Sequence, residues 1–208
     1  MTRFRLSPEL TLVRLAASTR VRGNSSADQL ALHAQFLPDG LRVLPGAVEA
    51  EQARAALSLL ALGGSSPLRR AGDRADTVVL ADCGRVEPDS PALSIIRSAD
   101  AMVLLARPRD DELAHVALKL PAAQRWSPRP CFVLVGQGHS AAYVAQELRV
   151  PVMAHIPQDV RGADALCGRG GTRSGPNRSA LGRATAKFAL SLRASVSVRS
   201  QLIDGVAS

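Results

Sequence analysis

From residue 41 onward, short apolar runs alternate with stretches whose apolar positions recur at helical spacing. The runs at 41–44, 77–81, 101–106, 131–135 and 150–156 predict five strands, each closed by proline, glycine or a polar turn. Between and after them, 49–62, 91–98, 110–120, 141–148, 159–166 and 177–194 predict helices. Asp110, Asp111 and Glu112 open one of these with three acids, which suits the positive end of a helix dipole. Pro121 is expected to end or kink it. The run at 77–81 is almost continuously apolar, as in a strand covered on both faces.

Upstream the pattern is less regular. Ser7-Pro8-Glu9 before Leu10, Leu12, Val13 and Leu15 predicts a helix with proline at its start. Residues 20–26 read as a loop, 28–36 as a short helix and Pro38-Asp39-Gly40 as a turn. Residues 69–76 read as a charged connection.

Strands alternating with helices at spacings of roughly 25 to 35 residues fit βαβ units. The expected fold class is therefore α/β, with a mostly parallel sheet covered by helices on both faces. Three parts are expected: a helical and loop segment at 1–36, the α/β domain at 37–195, and a loosely ordered tail at 196–208.

Composition narrows the classes. The 208 residues suffice for one sizeable core, and 46% hydrophobic with 21% charged residues is globular usage. Aromatics make up only 3%, so Leu, Val and Ala must fill the core. No apolar run of about 20 residues occurs, and the first fifteen residues carry no signal-peptide pattern. Cys83, Cys131 and Cys167 are odd in number and form no C-x-x-C, which reads as reduced, structural thiols in a cytoplasmic protein. The four histidines show no metal spacing and no Ser-His-Asp or Cys-His pattern, and His155 reads as a core histidine.

The formal net charge is +8, and only Lys119 and Lys187 of the 26 basic residues are lysines. Such a surface favours polyanions, DNA or an anionic membrane face, although a solvated arginine-rich surface is the more ordinary account of it.

Asp82 carries the clearest candidate chemistry. It closes the apolar run and is followed by Cys83, Gly84 and Arg85. An acid at the carboxyl end of a parallel strand stands where ligands bind. The bland alternative is an acid that caps the following turn.

Several segments, in order, resemble the MinD/ParA-type deviant-Walker P-loop ATPases, in particular their actinobacterial chromosome-partitioning or MinD-like branch. Leu41-Arg42-Val43-Leu44-Pro45-Gly46 is similar to the strand before the family's middle helix. Val78-Val79-Leu80-Ala81-Asp82-Cys83-Gly84 resembles its switch strand and acid. Residues 99–108 resemble the pattern AD-x-V-hydrophobic-V-x-x-P, and residues 148–159 resemble LGVPVLGVIPxD. The likeness spans about residues 37–192.

The resemblance implies a P-loop NTPase-like sheet of the SIMIBI type, incomplete at the N-terminus. It implies ATP and Mg2+ as cofactors, with Asp82 at the metal or the attacking water and the Gly84 N–H at the γ-phosphate. It places Pro157 and Asp159 in the adenine-side loop, with Arg107 and Pro108 near the base pocket. It further implies a homodimer acting on non-specific DNA or an anionic membrane surface, from the cytoplasm or peripheral to membrane or nucleoid, in chromosome or plasmid partitioning or septum placement. A basic amphipathic helix around Leu181, Arg183, Phe188, Leu192 and Arg193 serves either membrane contact or core packing.

The departures matter as much. The family opens with a strand, a K-G-G-x-G-K-[TS]-T loop and a helix, and this chain starts downstream of that pattern. Neither lysine lies in a glycine-rich loop, and the glycine-rich run 167–175 lacks the strand before it. A truncated or degenerate domain, deficient in ATP hydrolysis by itself, is the expectation. Loss of the P-loop strand is expected to leave unpaired strand edges. The rival is a non-catalytic protein- or DNA-binding α/β scaffold. A receiver-like sheet lacks its acidic pair and lysine here.

Overall fold

The computed structural model describes residues 6–22, 28–37, 40–61, 66–127, 130–167 and 175–204. The chain divides into two compact units, Phe4–Ala99 and Asp100–Ser208.

The first unit is mostly helical. Helix α1 (Leu12–Arg22) packs on α3 (Ala50–Ala61) and on α2 (Asp28–His33). Leu15, Ala16, Ala56 and Leu60 form its core, with Leu12, Val13, Leu30 and Leu44 around them. Small alanines let the helices approach, and the leucines fill the space between them. Helix α1 starts later than the proline signal suggested and runs through Arg20, Val21 and Arg22, expected to be loop. Strands β1 (Gln35–Phe36) and β2 (Arg42–Val43) form an antiparallel ribbon, with Gln35 opposite Val43 and Phe36 opposite Arg42.

That ribbon corrects one expectation. The 41–44 segment is a strand, but it pairs with its immediate upstream neighbour. A short turn can join strands only antiparallel, because a parallel pair needs a crossover. Residues 69–72, expected to be a connection, lie in helix α4 (Pro67–Gly72), which Ser66 caps with its side chain on the N–H of Leu68. Proline at the first position and a serine cap together start this turn. Helix α5 (Leu93–Ser98) matches its prediction closely, with Leu93 and Ile96 buried.

A second correction concerns residues 77–81. They form neither helix nor paired strand. Val78 is 83% and Leu80 86% exposed, whereas Thr77 and Val79 are partly buried. Exposure of period two is the mark of extended chain. The apolar pattern was legible, but no neighbouring strand completes a ladder among the described residues.

The second unit carries the parallel sheet. Strands β3 (Met102–Ala106), β4 (Pro130–Val135) and β5 (Val152–Ile156) lie in that order, parallel throughout. The mixed α/β class thus holds, with a small three-stranded parallel sheet flanked by helices. Leu104 lies opposite Phe132 and Ala106 opposite Leu134, and a register shift follows Phe132 on the β5 side. Phe132, Val133 and Leu134 are fully buried, so β4 is covered on both faces.

Helices α6 (Asp110–Trp126) and α7 (Ala141–Leu148) supply one cover. Leu113, Leu120 and Val144 pack with Phe132, Leu134, Ala106 and Val150. Helix α6 continues through Pro121. The proline leaves the Ala117 carbonyl without its intrahelical donor, yet Leu120, Ala123 and Trp126 are all buried beyond or beside it. Packing of that apolar face outweighs the local break.

Helix α9 (Ala180–Asp204) lies along β5, and α8 (Val160–Leu166) packs on α9. Residues 196–204, expected to be a loose tail, continue this helix. The cover thins toward β3, where Leu105 is 66% exposed and the outer edge has no partner strand among the described residues.

Candidate functional site

The carboxyl ends of β3, β4 and β5 gather three loops on one edge of the sheet, the edge at which parallel α/β sheets bind ligands. Their geometry starts with the turn after β3. The backbone N–H of Arg107 donates to Glu112 Oε2 at 3.0 Å, and its guanidinium lies 3.7 Å from Glu112 Oε1. Glu112 comes from the first turn of α6, so the acids that favour the helix start also hold the strand exit. Pro108 is fully buried and offers its carbonyl to the loop after β4.

That second loop is Gly136-Gln137-Gly138-His139-Ser140. Gly136 has φ +87° and donates its N–H to the Ile156 carbonyl at 2.9 Å. The N–H of His139 donates to the Pro108 carbonyl at 2.8 Å. Ser140 caps α7, its hydroxyl accepting from the N–H of Tyr143. The His139 ring stacks on Tyr143 with centroids 4.7 Å apart, and its Nε2 lies 2.7 Å from Asp110 Oδ1.

This Asp110–His139 pair is the feature that sequence reasoning missed. Its members are 29 residues apart and share no motif. Asp110 read only as a dipole acid, and the histidines as scattered. The signal lay in the glycine pair before His139, which turns the chain back toward the β3 exit. An imidazole held by a carboxylate can exchange a proton at its other nitrogen or, when protonated, meet an anion.

The third loop follows β5. Pro157 is exposed and closes the strand. Asp159 caps α8: Oδ1 accepts from the N–H of Gly162 at 2.8 Å and Oδ2 from the N–H of Leu181 at 3.1 Å. The backbone donors of Gly162, then of Leu181, hold this carboxyl below the usual carboxylate range. A β-carbon at Gly162 would lie 2.7 Å from both Asp159 Oδ2 and Ser179 Oγ. The acid is therefore committed to joining α8 to the start of α9. His155 lends Nε2–H to the Gly136 carbonyl at 2.6 Å, and its side chain is exposed and not in the core as expected.

Asp82 and Gly84 belong to the first unit, and Arg107, Pro108, Pro157 and Asp159 to the second. Asp82 is exposed, and its Oδ1 accepts from the N–H of Gly84 at 3.0 Å. Gly84 has φ +58°, which that tight turn requires. Burial, then the neighbouring Asp82 charge, pushes the Cys83 thiol up.

The phosphate side of a nucleotide site does not fit these residues. Lys119 lies within α6 and Lys187 within α9. Among the described residues no group of three His, Cys, Asp or Glu side chains could hold a metal ion. Residues 168–174 of the glycine-rich run lie outside the described residues. No step through ATP or Mg2+ follows from this arrangement.

A cleft of about 510 Å³ opens at the opposite, amino-terminal edge of the sheet, lined by Asp100, Gln124, Cys131, Arg149, Met153 and Ser195, among others. It coincides with none of the candidate loops. The carboxyl edge is the stronger candidate, because two built turns and the Asp110–His139 hydrogen-bonded pair converge there. On α9, Leu181, Phe188 and Leu192 are partly buried while Arg183, Lys187 and Arg193 are exposed. Among the described residues no helix is long and apolar enough to cross a membrane.

Compared with family models, with curated proteins and with solved structures, the chain matches none.

Proposed function

We propose that this chain is a MinD/ParA-like, SIMIBI-type α/β domain that serves chromosome or plasmid partitioning or septum-site positioning and does not hydrolyse ATP by itself. One observation carries the reading. Segments 99–108 and 148–159, which bear the family resemblance, become β3 and β5 with their exits, parallel to β4 between them. Arg107, Pro108 and Pro157 thereby reach one edge of one sheet. Partner surfaces of the family, DNA or anionic lipid, suit the net charge of +8. In this reading the chain works from the cytoplasm, as a homodimer at the nucleoid or the membrane face.

Calorimetric titration of the full chain with Mg2+-ATP, beside Asp82→Ala and Arg107→Ala, tests it. The expected dissociation constant is weaker than roughly 100 μM, unchanged in Asp82→Ala, weakened further in Arg107→Ala, and without phosphate release. Submicromolar binding that Asp82→Ala abolishes would overturn the deficiency. Absence of binding at millimolar nucleotide would leave the second reading.

That second reading is a non-catalytic protein- or DNA-binding scaffold. It is favoured by the two candidate acids: Asp159 has both oxygens engaged by backbone N–H groups, and Asp82 has Oδ1 engaged by the N–H of Gly84. Salt-dependent, sequence-independent retention on DNA supports the DNA-binding form, and no binding at low salt removes it.

A further inference from the structure

We infer that the cleft at the amino-terminal edge of the parallel sheet binds a small zwitterion with an apolar side chain, the class of a free aliphatic or aromatic α-amino acid. The first observation is a strained cation. Arg149 follows the last residue of α7 with φ +52° and ψ +35°, and it is the one non-glycine residue of positive φ among the described residues. Glycine ordinarily takes this place, because a β-carbon there crowds the following carbonyl. A guanidinium near the carboxyl end of a helix recovers part of that cost from the dipole. An arginine in the last turn of α7 would do so without strain, yet that turn holds no basic residue. Arg149 is exposed and lines the cleft, and among the described residues its side chain makes no hydrogen bond or ion pair.

The second observation is where the opposite charge stands. Asp100 lines the same cleft. It lies two residues before Met102, which is opposite Pro130, and Arg149 lies three residues before Val152, which is opposite Phe132. Both therefore stand level with the start of β4, one on each side of it. Strands two places apart in a sheet lie about 10 Å from each other. An ammonium and a carboxylate carried on one carbon bridge an aspartate and an arginine across such a span, each by charge-assisted hydrogen bonds.

The third observation selects the ligand. A cleft of about 510 Å³ has the size of a small-molecule site. Ala101, Val150 and Met153, each partly or fully buried, give it an apolar lining. Helices α6 and α7 both end at this edge, with Gln124 from the last turn of α6 on the cleft wall. Their carboxyl ends are negative poles and Asp100 adds a full charge, so a phosphate or a dicarboxylate is repelled. A simple amine is repelled in turn by Arg149. A molecule with one charge of each sign meets both side chains, and the apolar lining takes its side chain. The inference stands on the second unit alone and is independent of what binds at the β3–β5 exit loops.

The test titrates the full chain with L-leucine, L-methionine and L-phenylalanine, followed by calorimetry and by amide chemical shifts. L-Leucinamide, N-acetyl-L-leucine and L-glutamate are the comparisons, and Arg149→Gly and Asp100→Asn the variants. At least one of the three apolar amino acids is expected to bind with a dissociation constant of about 10–300 μM, moving the amide signals of Ala101, Cys131 and Val150. Blocking either charge of leucine, or replacing it by glutamate, should weaken binding about tenfold or more. Arg149→Gly should weaken leucine by a similar factor and leave leucinamide unchanged, whereas Asp100→Asn should remove the preference for leucine over its N-acetyl form. Glycine takes the positive φ freely, so the melting temperature of Arg149→Gly should be no lower than wild type, and lost binding is then not lost fold. No binding of any of the three at millimolar concentration overturns the proposal, as does equal binding of leucine and either blocked form. Signals that move only in the β3–β5 exit loops overturn it in favour of a site elsewhere. A lower melting temperature of Arg149→Gly with binding retained overturns it by reducing Arg149 to a helix cap.

Discussion

The α-carbon of Gly138 lies against the carbonyl of Pro108 so closely that a β-carbon there would stand 1.8 Å from that oxygen. The next residue, His139, uses the same carbonyl as its hydrogen-bond acceptor. Two strand exits are thus stitched backbone to backbone, and only glycine permits the approach. Gly138→Ala is expected to lower stability by about 2–4 kcal/mol, because backbone must move and the φ of +154° is strained for alanine. Gly136→Ala meets only the Gln158 side chain, at 3.9 Å, and should cost about 1–2 kcal/mol through its positive φ. Urea denaturation of the two variants checks the order; equal losses would contradict the contact.

The parallel sheet is expected to rest on β4. Phe132 is fully buried between α6, α7 and its neighbours, so Phe132→Ala should cost about 3–5 kcal/mol. Leu105 sits on the adjoining strand with most of its side chain in solvent, and Leu105→Ala should change stability by less than about 0.5 kcal/mol. Thermal melts of both variants measure the contrast.

The Asp110–His139 pair is short but exposed, with the Asp110 side chain almost wholly in water. A double-mutant cycle with Asp110→Ala and His139→Ala should return a coupling of only about 0.2–1 kcal/mol, falling with added salt. A larger, salt-insensitive coupling would mean that the pair organises the loop beyond its own contact.

Asp159 gives a pH signature. Its folded-state carboxyl is held below the usual range by backbone donors, so folding is favoured by its ionised form. That contribution is fully present above roughly pH 4 and is lost as pH falls through the lower folded value. Asp159→Asn keeps the cap's shape without its charge. Its melting temperature should lie below wild type at neutral pH, and the two curves should converge as pH falls below the usual carboxylate range. Curves that stay parallel throughout the acid range would refute the assignment.

Much of the second unit was legible in advance. Strands β3, β4 and β5 and helix α7 follow from compact apolar runs and their punctuation, within a residue or two. The Asp159 cap was also readable as one of two alternatives, because an acid before a helical run has a local use. What failed were inferences that depend on a neighbour. Residues 77–81 have strand composition without a partner strand, and Pro121 breaks a helix only where packing does not compensate.

By itself, then, the sequence determined the alternation of elements, the parallel order implied by it, the small-residue core and the cationic surface. These depend on side-chain type and near-neighbour spacing, which are written locally. Tertiary structure alone decided that Asp82 closes its own turn on Gly84, that Asp110 meets His139 across 29 residues, and that Val78 and Leu80 face solvent. Each is a question of which groups come together or stay apart over long range, and no periodicity encodes that.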